Sequence, residues 1–302
     1  MRLDDYDPGD DIRDLGRGGG GFGGGGGGGG MGGLLFALLP MLLGRKMGCG
    51  TILILGALAF FLLGPGANML SMGGGTADPM ADSRSGANVA CDTQAERFAC
   101  NVFGSTHQVW GGLINGYRKP TLNFYTDRNR SGCGAAQAAM GPFYCPADEG
   151  VYLDTSFFTE LERKFGAAGD AAQAYVVAHE VGHHIQTITG TSEQVRRAQA
   201  RASQAEGNQL QVRMELQADC YAGVWVNRAR TRDGRSVMEP GDMEEAMGAA
   251  HAIGDDTLMR QAGQRPVESM FTHGTSQQRM TWLRRGMQSG DPAQCDTFNA
   301  AI

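Results

Sequence analysis

The stretch AYVVAHEVGHHIQTITG, residues 174–190, contains three of the six histidines of this 302-residue chain. Its apolar residues recur at steps of four and three, which predicts an amphipathic helix. His179 and His183 lie four residues apart, about one helical turn, and therefore share a face of that helix. The spacing H-E-x-x-H predicts that both imidazoles reach a single metal ion.

The residues around this helix predict its limits. Asp170 is expected to be the N-cap, with Gln173 completing a capping box, and Gly190 is expected to end the helix in a left-handed conformation. Gly182 costs about 1 kcal/mol relative to alanine in a helix interior. It therefore predicts a close backbone neighbour.

Flanking segments indicate the fold class. A polar helix is expected from Thr191, interrupted at Gly207 and followed by a third helix with Asn208 as N-cap. Upstream, residues 121–126 read as a strand and residues 143–154 as a β-hairpin. Strands followed by helices predict an α+β fold.

The motif predicts hydrolytic chemistry. Imidazole nitrogens suit Zn²⁺, and a catalytic zinc keeps one coordination position open for water or substrate. Glu180, between the two histidines, can take a proton from a water whose pKa the metal lowers toward 7. The alternative is a helix with one core histidine and two surface histidines.

Such a site needs a third protein ligand. The metzincin extension requires glycine and then histidine at positions occupied here by Gln186 and Thr189, so it is excluded. Glu215 is the candidate ligand, and Asp219, one turn further along, could accept a hydrogen bond from a zinc histidine. From spacing alone, a helix face that is solvated or salt-bridged, for example to Arg213, explains this pair equally well.

Composition divides the chain into five regions. The net charge of −6 argues against nucleic acid as a partner. Glycine-rich sequence cannot form a core, so residues 1–33 are expected to be a disordered acidic and glycine-rich tail. A metallopeptidase domain (91–302) is expected to follow an apolar flanking segment (34–46), a transmembrane helix (47–70) and a linker (71–90).

The charges beside the apolar segment predict its orientation. Arg45 and Lys46 precede the expected span, so the N-terminus is expected in the cytoplasm and the domain outside, in a single-pass protein of the cytoplasmic membrane. The alternative, a cleaved signal peptide, has an unusually long leader here. Six cysteines in an oxidising compartment predict disulfides. The expected pairs are Cys91–Cys100, Cys133–Cys145 and Cys220–Cys295.

Five quoted segments carry a family resemblance. The chain resembles the bacterial neutral zinc metallopeptidase family in the segments HEVGHHIQ, ELQADCYAGVW, SGCGAAQAAMGPFYCPADEGVYLD, AIGDD and FTHGTSQQR. The resemblance implies a membrane-anchored protein with a zincin-like domain of the gluzincin type. It assigns a single zinc ion to His179, His183 and Glu215, with Glu180 as base and Asp219 behind a zinc histidine.

Other residues receive weaker interpretations. His273 is a candidate donor to the oxyanion, with capping or packing against Arg279 as the alternative. His184 points about 100° away from His183 and is expected to pack or to contact a metal ligand rather than to bind the metal. The two remaining histidines, His107 and His251, are expected to be structural. Residues 151–154 could pair as an edge strand with a peptide substrate, or form an ordinary interior strand.

These observations predict a zinc peptidase acting on peptides or proteins, with Glu180 and His273 as catalytic residues. Two alternatives stay open: a non-catalytic envelope adaptor stabilised by zinc, and a zinc amidase acting on peptidoglycan. A structural zinc site is closed by four protein ligands, whereas this sequence offers three and a base. The oligomeric state does not follow from the sequence.

Overall fold

The structure, a computed structural model, describes residues 1–4, 6, 9, 11–16 and 90–302. These residues contain a four-stranded mixed sheet, a two-stranded ribbon and eight α-helices. The strands are β1 (Ile12–Asp14), β2 (Thr121–Phe124), β3 (Arg128–Ser131), β4 (Gly134–Gln137), β5 (Phe143–Cys145) and β6 (Gly150–Leu153). The helices are α1 (Gln94–Leu113), α2 (Ser156–Arg163), α3 (Asp170–Ile188), α4 (Thr191–Gln199), α5 (Gln204–Arg228), α6 (Asp242–Ala252), α7 (Asp255–Gln261) and α8 (Ser276–Ser289). The predicted α+β class is confirmed.

The sheet has the strand order β1-β2-β6-β5, with β3 and β4 pairing separately. β1, β2 and β6 are parallel, and β5 is antiparallel to β6, so the hairpin predicted in residues 143–154 is confirmed. β6 lies between two strands and all four of its residues are buried. Of the two interpretations of residues 151–154, the interior strand is therefore confirmed and the edge strand is wrong, and β5 is the outer strand on that side of the sheet.

The N-terminal residues differ from the expected disordered tail. β1 pairs with β2, the amide of Arg2 donates to the carbonyl of Val237 at 2.8 Å, and Leu3 is buried. The prediction is wrong for these residues because apolar side chains among the acidic ones find partners in the domain, and the edge of β2 supplies backbone hydrogen bonds. The remainder of the expected tail lies outside the described residues.

The expected apolar segment, the transmembrane helix and residues 71–89 of the linker also lie outside the described residues. Within residues 1–16 and 90–302, none of the helices combines the length and the apolar character that crossing a bilayer requires. The single membrane crossing and its orientation stay predictions.

The helix boundaries correct several expectations. Gly169 rather than Asp170 is the N-cap of α3, so the expected capping box with Gln173 is wrong. The amide of Ala171 in the first turn instead donates to Oε2 of Glu245 at 3.1 Å. Gly190 is left-handed as predicted. α5 begins at a capping box formed by Ser203 and Glu206, which places the expected interruption at Gly207 and Asn208 inside the helix. The backbone hydrogen bonds of the Ser203–Glu206 capping box stabilise the start of the helix by more than glycine at position 207 destabilises it.

Glycines let α5 approach two other helices. A β-carbon at Gly182 of α3 would lie 3.0 Å from the Cα and carbonyl oxygen of Ala218 in α5, which confirms the predicted backbone neighbour. Side chains at Gly223 of α5 and Gly286 of α8 would overlap the opposite backbone. Substituting any of them would force the helices apart, and α3 and α5 carry the residues of the candidate site.

All three predicted disulfides are present: Cys91–Cys100, Cys133–Cys145 and Cys220–Cys295. The first two link residues 9 and 12 positions apart, whereas the third spans 75 residues and ties α5 to the C-terminal segment. Closing a longer loop removes more conformational freedom from the unfolded chain. The third bond is therefore the one that most restricts the unfolded domain.

His107→Gln is expected to reduce the acid sensitivity of the fold. Burial lowers the pKa of His107 to about 3, with smaller contributions from Lys119 and His184. Between that value and the unfolded pKa of about 6.5 the unfolded chain binds the extra proton, so stability falls by about 1.4 kcal/mol per pH unit on acidification. Glutamine does not titrate and can retain a hydrogen bond to the Tyr117 hydroxyl, which lies 2.8 Å from Nδ1.

The measurement is urea unfolding across this pH window for wild type, His107→Gln and a control, His251→Gln, at an exposed position. We expect the control to follow wild type and His107→Gln to show the weaker dependence. Identical pH slopes for all three proteins would contradict the assignment.

Candidate metal centre

The structure brings together the three residues predicted as metal ligands. Nε2 of His179 lies 3.2 Å, and Nε2 of His183 3.6 Å, from Oε2 of Glu215. One ligand atom from each of the three lies within 4.8 Å of the others. The contact of Gly182 with Ala218 comes three residues after His179 and three after Glu215. Because the backbones approach there, the imidazoles and the carboxylate can converge.

Hydrogen bonds orient both imidazoles. Nδ1 of His179 lies 2.8 Å from Oδ1 of Asp219, and Nδ1 of His183 lies 2.9 Å from Oε1 of Gln186. Carboxylate and amide oxygens only accept, so each Nδ1 carries a proton, and in the neutral ring Nε2 is the nitrogen that presents a lone pair. That lone pair is what a metal ion requires.

From the sequence, Gln186 served only to exclude the metzincin motif, which requires glycine at its position. Its amide nitrogen donates to the carbonyl of Met214 at 2.7 Å and to Oε1 of Gln217 at 3.1 Å. These bonds turn Oε1 of Gln186 toward His183. The signal was present in the motif HEVGHHIQ, three residues after His183, but spacing alone does not reveal the partner.

Asp219 lies where the sequence suggested, behind His179. Its oxygens accept from Nε and Nη2 of Arg279, each at 2.9 Å, and from the Tyr175 hydroxyl at 2.5 Å. Burial alone would raise the pKa of Asp219, but Arg279 and His179 lower it to about 2. Asp219 therefore stays an anion and holds His179 in one tautomer.

Of the competing interpretation of the α5 face, only a salt bridge is present, and it joins Asp219 to Arg279 rather than to Arg213. Arg213 donates to the carbonyls of Thr297 and Ala300 rather than to Glu215. Glu215 and Asp219 are 6% and 0% exposed, so this is no solvated face. Sequence reasoning had not assigned Tyr175 or placed Arg279 against Asp219, since both contacts join residues from different helices.

The donor set fits zinc. Two imidazole nitrogens and one carboxylate oxygen are a ligand combination of catalytic zinc sites, which leave a fourth position open. Within residues 1–16 and 90–302, the cluster contains no fourth histidine, cysteine, aspartate or glutamate. The Glu215 carboxylate raises the pKa of His183 to about 9, although burial alone would lower it. The surroundings therefore favour positive charge, as a cation site requires.

Glu180 follows His179 directly and is 7% exposed. Burial raises the pKa of its carboxyl group, while His183 and His179 oppose this shift. A raised pKa suits a carboxylate that must accept a proton and give it back at neutral pH. Its place beside the three ligands matches the predicted role as base.

Comparison with known proteins agrees with this geometry. A family model described as "Putative neutral zinc metallopeptidase" matches residues 1–298. The chain belongs to this family. It is 48% identical over 232 residues to the uncharacterized protein YpfJ of Escherichia coli K12, covering 75% of this chain and 80% of the relative. An uncharacterized protein of Mycobacterium bovis, Mb2605, is 43% identical over 219 residues, covering 68% and 73%. No solved structure matches.

His273 of this metallopeptidase-family chain lies in the loop before α8. Nδ1 is 3.1 Å from Oδ1 of Asp255, and Oδ2 of Asp255 accepts from the backbone amides of Thr272, His273 and Gly274 at 2.7, 2.6 and 3.0 Å. Burial lowers the pKa of His273, but Asp255 and Glu215 raise it above its usual value. Asp255, which sequence reasoning missed, therefore fixes both the loop and the ring.

The other histidines are placed away from the ligand set. Nδ1 of His184 lies 3.1 Å from the Tyr144 hydroxyl, and Nε2 lies 2.7 Å from the carbonyl oxygen of Arg118. Both nitrogens are engaged, which agrees with its expected packing role. His107 bonds Tyr117, and His251 is exposed near the end of α6.

Asp219→Asn is expected to weaken zinc binding by about 10–100-fold, the usual cost of losing a partner behind a metal ligand. Asparagine keeps the volume but removes the negative charge that faces His179 and Arg279. The measurement is competition for zinc with a chelating indicator. Asp233→Asn, an exposed acid paired with Arg235, is the charge-matched control and should bind like wild type. Unchanged affinity in Asp219→Asn would contradict the role.

Proposed function

We propose that the protein is a zinc-dependent peptidase that hydrolyses peptide bonds in peptides or proteins. The observation that carries the proposal is the convergence of His179, His183 and Glu215, with Nε2 of each histidine directed at one carboxylate oxygen. Zinc held there supplies a Lewis acid that lowers the pKa of water toward 7 and polarises a carbonyl. Family membership supports the same conclusion.

Glu180 is proposed as the proton carrier. Its carboxylate takes the proton released when water attacks the scissile carbonyl, and transfers it to the nitrogen of the leaving amine. The buried position supports this role, because burial raises its pKa toward neutrality.

His273 is proposed to stabilise the negative charge that develops on the carbonyl oxygen. With Nδ1 directed at Asp255, the other nitrogen, Nε2, is left to donate to the substrate. The Glu215 carboxylate, one of the three proposed ligands, helps to raise the pKa of His273. The packing alternative with Arg279 receives less support, since the partner observed for the ring is Asp255.

The edge strand β5 is proposed to pair with the extended backbone of the substrate. It is the outermost strand beside β6, and the hydroxyl of Tyr144 contacts His184, which adjoins the ligand His183. Edge strands bind peptides through main-chain hydrogen bonds. β5 therefore takes the role that the sequence suggested for residues 151–154.

The test uses the purified full chain. We expect one zinc per chain by mass spectrometry, cleavage of an unfolded protein, loss of cleavage with a chelator and recovery with added zinc. Bound zinc without hydrolysis of any peptide would support the adaptor alternative. Cleavage confined to peptidoglycan would support the amidase.

His273→Gln is expected to lower kcat by about 10²–10³-fold, the usual cost of removing one donor to an oxyanion, with little change in KM. Zinc content should stay at the wild-type level, since His273 does not belong to the ligand cluster. His251→Gln is the matched control at an exposed histidine. A wild-type kcat in His273→Gln would leave only the packing role.

A further inference from the structure

The open side of β2 is covered by the chain's own N-terminal segment, residues 1–16. The amide of Leu122 donates to the carbonyl of Asp11 at 2.9 Å, and that of Leu15 to the carbonyl of Phe124 at 2.9 Å. Thr126 continues the ladder to the carbonyl of Gly16 at 3.1 Å. Residues 12–14 of the segment therefore form a strand of the domain's sheet.

The first residues of the segment attach to a second part of the domain. Leu3 is 1% exposed, and the amide of Arg2 donates to the carbonyl of Val237. The Met1 ammonium contacts the carboxylate of Asp170, the first residue of α3, and lies 3.3 Å from that of Glu239. One end of the segment thus contacts the helix that carries His179 and His183.

These contacts constrain how the chain meets a membrane. Backbone hydrogen bonds and a buried leucine cannot form across a bilayer, because the hydrocarbon core, about 30 Å thick, would separate the partners. We infer that residues 1–16 and 90–302 lie together on the outer, oxidising side of the cytoplasmic membrane.

The disulfides favour the outer side. Three of them connect residues of the domain, and disulfides persist in oxidising compartments.

The first experiment tests the pairing. Nζ of Lys119 lies 3.6 Å from Oδ2 of Asp11, so a zero-length carbodiimide should join them by an amide bond in the full chain in native membranes. We expect the cross-linked peptide by mass spectrometry in wild type and its loss in Lys119→Arg, which keeps the charge but forms no amide. Absence of the cross-link in wild type overturns the pairing.

The second experiment tests the side. Asp11→Cys and Lys119→Cys, each in a background with Cys49→Ala, are labelled with a membrane-impermeant maleimide in right-side-out and inside-out vesicles. Both positions are at least partly exposed, with 42% and 50% of the native side chains accessible. We expect both to react in right-side-out vesicles and neither in intact inside-out vesicles. Reaction from opposite faces, or of both only from the cytoplasmic face, overturns the inference.

Discussion

Glu180→Gln is expected to lower the rate of peptide hydrolysis by about 10²–10⁴-fold, the contribution of a positioned acid–base group. Zinc should remain bound, because Glu180 does not belong to the ligand cluster of His179, His183 and Glu215. Glutamine fills the same volume without a charge, and the buried carboxyl already has a raised pKa, so the fold should tolerate the change. The measurements are cleavage of an unfolded protein and zinc content by mass spectrometry.

The matched control is Glu244→Gln, which removes an exposed carboxylate from α6 and should behave as wild type in both measurements. Loss of zinc together with activity in Glu180→Gln would indicate that Glu180 holds the site together. Retained zinc with unchanged hydrolysis would exclude it as the base.

Glu215→Gln is expected to abolish hydrolysis and to weaken zinc binding by more than about 100-fold. The loss should exceed that of Asp219→Asn, which removes only a partner of a ligand, because a charged ligand itself is lost. Gln211 donates to Oε1 of Glu215 at 2.8 Å and can donate to the amide oxygen of glutamine, so helix packing should be preserved. The measurement is a zinc titration against a chelating indicator, beside the rate of cleavage.

Glu244→Gln again serves as the charge-matched control, and circular dichroism establishes that α5 remains folded in the variant. Wild-type zinc affinity in Glu215→Gln would exclude the carboxylate as a ligand and with it the proposed three-ligand site.

Much of the local structure follows from sequence pattern. The hairpin of β5 and β6 has a turn-forming segment between two apolar runs. The disulfides Cys91–Cys100 and Cys133–Cys145 join cysteines close in sequence. α1 itself was missed although Thr93 and Glu96 form a capping box that the sequence displays. That error came from giving strand signals precedence over a helix start.

The N-terminal segment shows where composition misleads. Acidic residues and glycine predict disorder because they bury little apolar surface. Apolar residues such as Leu3 and Ile12 are few. However, β2 supplies backbone hydrogen bonds and Leu3 is buried in the domain, so the segment folds against the domain. A distant sheet edge leaves no trace in the sequence of the segment that covers it.

The sequence by itself determined which residues can share a metal ion along one helix: the step from His179 to His183 is one turn, and Gly182 between them signals a close neighbour. Only the tertiary structure decided that the neighbour is α5, that Glu215 faces both imidazoles, and that Asp219 is held by Arg279 and Tyr175. The physical reason is the distance along the chain over which each interaction acts. Helical spacing is set by backbone geometry within a few residues, whereas these contacts join residues 36 to 60 positions apart. Their stability depends on burial and on partners that no local pattern specifies.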